Sequence, residues 1–141
     1  MKFLIVFLSL FLAKGCDKEL SQEMKAAQIE YSAVSRGYYL NISVVDEKMN
    51  ITRKRDDLGK NYILTEKDWK ELAELYKFVK LNDIPKYKAP SEKRFYDGAA
   101  IATFRVTYEG KTYESQGFDH GNPPAEIAGI VNKLVSFAEP K

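Results

Sequence analysis

Cysteine is almost missing from this chain: Cys16 is the only one in 141 residues. An internal disulfide therefore cannot form, and a cysteine-rich zinc site or a cysteine-held iron–sulfur cluster is excluded by the same count. Histidine also occurs once, as His120. Gly-rich phosphate loops are absent, and no Gly-x-Ser-x-Gly elbow surrounds Ser91, Ser115 or Ser136. Charge of one sign is scarce too. The formal net charge is +2, and the nearest basic cluster, Arg53 to Arg55, is followed at once by Asp56 and Asp57. It reads as a solvated strand end. Nucleic acid binding draws on clustered Lys and Arg, so nucleic acid is not an expected partner. Carboxylates are plentiful, but none is paired in a way that marks glycoside hydrolysis. Neither a metal nor a cofactor is expected.

What is present points to a folded domain. Hydrophobic residues make up 45% of the chain and aromatics 13%, which disfavours global disorder. Nine Tyr and eight Phe suit a sheet-rich protein, because aromatic rings pack well on a pleated surface. The length allows one modest core and not two domains.

The N-terminus carries the most specific signal. Met1-Lys2 is a positive start, and Phe3 to Ala13 is an apolar run. As a helix that run rises about 16 Å, too short for about 30 Å of hydrocarbon. Its length suits the apolar region of a secretory signal. Ala13-Lys14-Gly15-Cys16 follows. This resembles a bacterial lipobox, the signal-peptidase site before a lipid-modified cysteine, with small Gly15 at the cleavage point. Lys14 departs from the usual small residue, and permissive lipoboxes of this kind are similar to those of the Bacteroidetes. The resemblance implies a removed signal at 1–15 and a diacylglyceryl thioether on Cys16, so membrane attachment would run through that lipid. One acyl chain binds a bilayer marginally, whereas two or three anchor stably. Asp17 resembles an inner-membrane retention signal of enteric bacteria, while Asp17-Lys18-Glu19 is compatible with Bacteroidetes surface export. The expected address is the cell envelope, with the outer membrane or cell surface ahead of the inner membrane.

Residues 16–27 read as a lipidated N-terminus and polar tether, with one helical turn at most, and 28–141 as one globular domain. Ile29, Tyr31 and Ala33 alternate with polar residues, as do Tyr38, Leu40, Ile42 and Val44, so both runs read as half-buried strands. Met49 and Ile51 open a return strand that runs out through Arg53 and Arg55. Asp56 to Lys60 reads as loop. Thr65 is the expected N-cap of a helix whose apolar stripe is Trp69, Leu72, Ala73, Tyr76 and Val79. Lys86 to Asp97 is a charged loop. Ala100 to Tyr108 alternates as a strand, Glu109-Gly110 sits at a hairpin turn, and Thr112 to Phe118 is the return strand. A second helix begins at Pro123-Pro124, with Ile127, Ile130, Val131, Leu134 and Phe137 as its stripe. The fold class expected is α+β: an antiparallel sheet of about five strands with two helices packed on one face. The order strands–helix–hairpin–helix is compatible with a diverged ββα duplication. It also resembles small Bacteroidetes lipoproteins of unknown function, a likeness that brings no activity with it.

Chemistry, if any, would centre on Asp97, Asp119 and His120, since a carboxylate beside a histidine can orient it as a base. Against this, adjacent residues of an extended chain point in different directions. A helix N-terminus just downstream also disfavours imidazolium. The plainer expectation is that Asp119 or Asn122 caps the helix and His120 is a turn residue. Trp69 reads as a core anchor. One of Tyr38 and Tyr39 should face away from the core. Tyr39, Phe95 and Tyr96, with Arg94, are the candidate contacts for a protein partner. The function expected is a lipid-anchored, non-enzymatic envelope domain that binds another macromolecule. The alternatives are a small envelope hydrolase using Asp97, Asp119 and His120, and an inhibitor or immunity-type lipoprotein.

Overall fold

Alternating apolar residues build most of this sheet. The computed structural model describes residues 22–139. The expected signal at 1–15, the lipobox-like Ala13 to Gly15 and the expected lipid-bearing Cys16 lie outside the described residues. After helical residues 22–26 come four strands: β1 (Gln28–Ser35), β2 (Tyr38–Val45), β3 (Lys48–Thr52) and β4 (Lys60–Ile63). Helix α1 (Glu66–Tyr76) follows, then 3-10 turns at Leu81–Lys86 and Lys93–Tyr96. Strands β5 (Ile101–Tyr108), β6 (Lys111–Glu114) and β7 (Phe118–Asp119) precede helix α2 (Ala128–Ala138). All strand pairs are antiparallel, in the order β4-β3-β2-β1-β5-β6, with β7 also on β5.

The α+β class therefore stands, with seven strands among the described residues rather than about five. Two of the additions carry little pattern. All four residues of β4 are exposed at the sheet edge, and β7 is two residues long. The β3 strand ends at Thr52 and does not continue through Arg53 and Arg55. The first half holds four strands and the second three, so any duplicated unit has unequal strand sets.

Helix α2 packs on β1 and β2, and α1 packs on α2. Ile29, Tyr31, Leu40, Ile42, Phe104 and Val106 point to that layer and are buried with Leu72, Ile130 and Leu134. Trp69 belongs to this core, as its place on the stripe predicts. The opposite face is polar. Ser32 pairs with Asn41 on one side and Thr103 on the other, and the Ser32 and Thr103 hydroxyls lie 2.8 Å apart. At α1 Thr65 is the N-cap, accepting the Asp68 N–H at 3.1 Å. The Glu109-Gly110 hairpin takes φ of 52° and 77°, a left-handed pair that glycine eases at its second position.

The return strand after the hairpin departs from the expected straight run. In β6, Arg105 pairs with Glu114, and the Phe104–Ser115 backbone bond of 2.9 Å continues that register. Beyond it, Ala102 pairs with Phe118, one residue later than the register requires. An extra residue is thus accommodated at 115–117. This β-bulge reverses which residues face the core. Ser115 and Phe118, three apart, are both buried, and Asp119 now pairs with Ile101 on the polar-face side.

Residues 22–26 are helical, and Met24 and Ala27 are 1% exposed in the core. The end of the expected tether is therefore part of the domain, because its apolar side chains cover the same layer as the helices. Replacing Met24 by alanine should cost about 2–5 kcal/mol in urea unfolding. A cost below about 0.5 kcal/mol would return these residues to a tether.

Candidate functional site

The bulge decides where the two adjacent candidates Asp119 and His120 point. Asp119 is 1% exposed. Its carboxylate accepts the Ser91 hydroxyl at 2.6 Å, the backbone N–H groups of Lys93 at 2.8 Å and Arg94 at 3.0 Å, and the Arg94 guanidinium at 3.2 Å. Asn122 donates to the Ser91 hydroxyl at 2.8 Å. Burial pushes the Asp119 carboxyl up. The Ser91 hydroxyl, the Arg94 and Lys93 N–H groups and the Arg94 side chain outweigh it and hold the group at about 2, below its ordinary 3.8. The buried charge is thus a clamp on loop 91–94. Neither Asp119 nor Asn122 caps the helix. The helix begins from a 3-10 turn at Ala125–Ile127 with no side-chain cap, so the expected capping role is replaced by loop attachment.

His120 points to the helix side. Its Nδ1 lies 2.5 Å from the Tyr31 hydroxyl, and its Nε2 lies 3.3 Å from the Tyr38 hydroxyl and from both Glu139 oxygens. Tyr38 also donates to Glu139. Burial lowers the His120 pKa, and burial and then the Glu139 charge raise that of Tyr31. The consistent arrangement is neutral: Tyr31 donates to Nδ1, and the Nε2 proton faces the Glu139 carboxylate. In sequence His120 precedes a helix N-terminus, but in space its ring meets the C-cap residue of the last helix. The helix end beside the imidazole is thus the C-terminal end of α2, not the N-terminus that follows His120 in sequence. The cluster joins the sheet to the end of α2.

Asp97 sits apart in bonding terms. It is an exposed left-handed residue with φ of 61°, ending the 3-10 turn, and among the described residues it bonds neither Asp119 nor His120. Asp119 and His120 border a polar cleft of about 330 Å³ with Ser91, Lys93 and Asn122. Tyr38 and Tyr39 divide as expected, with Tyr38 on the helix side and Tyr39 on the polar face, where Arg55 lies 5.7 Å over its ring. Phe95 is 70% exposed and Tyr96 72%, and the Arg94 guanidinium stacks 4.3 Å over Phe95. Arg94 thus touches both the buried clamp and the exposed ring. Sequence reading missed Tyr31 and Glu139 as partners of His120, since separations of 89 and 19 residues leave no local signal.

No family model matches the chain, and neither the curated proteins nor the solved structures include a match to it. Among the described residues no three His, Cys, Asp or Glu side chains group as metal ligands, and no helix is long and apolar enough to cross a membrane.

The clamp has a pH signature. Because the folded carboxyl is held at about 2 and an unfolded one titrates near 3.8, its stabilisation is complete above the higher value and is lost as pH falls toward the lower. Asp119→Asn should destabilise the fold by about 2 kcal/mol at neutral pH and flatten the loss of stability between about pH 5 and 2. Denaturant unfolding across that range measures both, and an unchanged acid limb would refute the clamp.

Proposed function

We propose that the protein is a lipid-anchored cell-envelope component whose globular domain binds another macromolecule and performs no catalysis. The observation that carries the binding reading is the clamped loop. An exposed aromatic pair in a loose loop must be ordered on binding, which costs affinity. Here the buried Asp119 carboxylate takes two backbone N–H groups and two side chains of the loop, so Phe95 and Tyr96 are presented from a segment already fixed. Rigid exposed aromatics beside an arginine have the composition of interface hot spots. The same bonds occupy Asp119, which favours binding over the hydrolase reading that would need that carboxylate free. Anchoring rests on the lipobox-like Ala13-Lys14-Gly15-Cys16.

Two measurements test the two parts. Intact mass of the membrane-fraction protein should show an N-terminus at Cys16 with fatty-acyl mass, and Cys16→Ser should lose both that mass and sedimentation with membranes. A chain starting at Met1 without acyl mass would sink the anchor. For binding, a polypeptide captured from detergent-solubilised envelope should be recovered about thirtyfold less by Phe95→Ala/Tyr96→Ala, as for a hot-spot pair. Equal recovery by the variant, with its fold intact, would sink the loop as the contact.

A further inference from the structure

The far edge of the sheet holds a second feature, unconnected with the aromatic loop. On the helix side of β3, Met49 and Ile51 point toward the core, and Arg53 continues the same face just past the strand. The Arg53 guanidinium donates to the Ala138 carbonyl at 2.6 Å, which fixes it at the end of α2. Two hollows meet along this line and share Ile51 and Tyr62 as a common wall. One, of about 450 Å³, is lined by Arg53, Lys54 and Lys60 with Asp57 as its single carboxylate. The other, of about 230 Å³, is lined chiefly by apolar side chains, among them Met49, Leu64 and Phe137. Its one carboxylate, Asp68, is already paired with Lys133 at 3.0 Å. Strand β4 ends the sheet, so the groove opens to solvent along that edge.

The groove is therefore cationic at one end and apolar at the other, and a ligand complementary to it has the reverse polarity. At about 30 Å³ per water-sized group the apolar hollow takes about eight such groups, the length of a medium alkyl chain. Together the hollows fall in the roughly 300–1,000 Å³ range of small-molecule sites. We propose that this groove binds a free single-chain amphiphile with an anionic head. The head meets Arg53, Lys54 and Lys60, and the tail crosses the Ile51–Tyr62 wall onto Met49, Leu64 and Phe137. The assignment needs neither the lipid on Cys16 nor a partner at Phe95 and Tyr96.

The test uses the full chain in nanodiscs of zwitterionic lipid, titrated with carboxyl-labelled octanoate and read by NMR against empty discs. Saturable octanoate binding is expected, with octanol at least tenfold weaker. Lys54→Gln/Lys60→Gln, two exposed positions that leave the core untouched, should weaken octanoate about tenfold. Phe137→Ser should weaken octanoate and leave inorganic phosphate as weak as before. Binding no greater than to empty discs would overturn the proposal. So would octanol binding as tightly as octanoate, wild-type affinity in the double lysine variant, or inorganic phosphate matching octanoate.

Discussion

Neighbouring side chains of a strand leave on opposite faces, and among the described residues α1 and α2 form one layer on one face of this sheet. That constraint sorts every residue of interest. It sends Tyr38 to the helix layer and Tyr39 away from it. It lines up Met49, Ile51 and Arg53 on one side of β3. A break in the alternation matters as much as the alternation itself. In a straight continuation of β6 the register would place Phe118 beside Ile101 on the polar side. The single extra residue at 115–117 moves Phe118 into the core and turns Asp119 outward, where it pairs with Ile101 instead.

Turned that way, Asp119 meets the loop and not the core, and its charge becomes tolerable. A buried carboxylate without partners is costly, whereas one with four donors is held ionised and holds the donors in return. Loop 91–94 has little apolar material of its own: Ser91, Glu92, Lys93 and Arg94. Its position comes from polar bonds to one oxygen pair, and Phe95 and Tyr96 inherit that position from the next residues along. His120, one step on, serves the other layer. It ties β1 and β2, through Tyr31 and Tyr38, to Glu139 at the end of α2.

The sheet and helices were legible wherever burial writes a period into the sequence. Ile29-Tyr31-Ala33, Leu40-Ile42-Val44 and the stripe from Trp69 to Tyr76 all face the core as their spacing predicts. Strand β4 was illegible because an exposed edge strand needs no apolar alternation. The bulge had one local signal, the isolated Gly117 inside the expected strand, but a glycine there does not say which residues change face. For the site, the types were visible and the partners were not. An Asp next to a His suggests a pair, and only the pleat shows that they serve different faces. Met24 was hidden for a related reason: with only Leu20, Ala26 and Ala27 beside it, the polar stretch is too short to establish a period.

The two proposed surfaces occupy opposite ends of the strand order. The aromatic loop is attached to β7 on β5, and the amphipathic groove lies over β3 and β4. Three strand positions separate them, at about 4.8 Å each, and no described hydrogen bond links the loop at 91–97 to Arg53, Lys54 or Lys60. Energetic coupling between sites at that separation, without shared partners, is small as a rule. The groove does share an element with the His120 cluster: Arg53 holds the Ala138 carbonyl, and Glu139, the next residue, faces His120. The end of α2 is thus one contiguous set of contacts from Arg53 to the His120–Tyr31 pair.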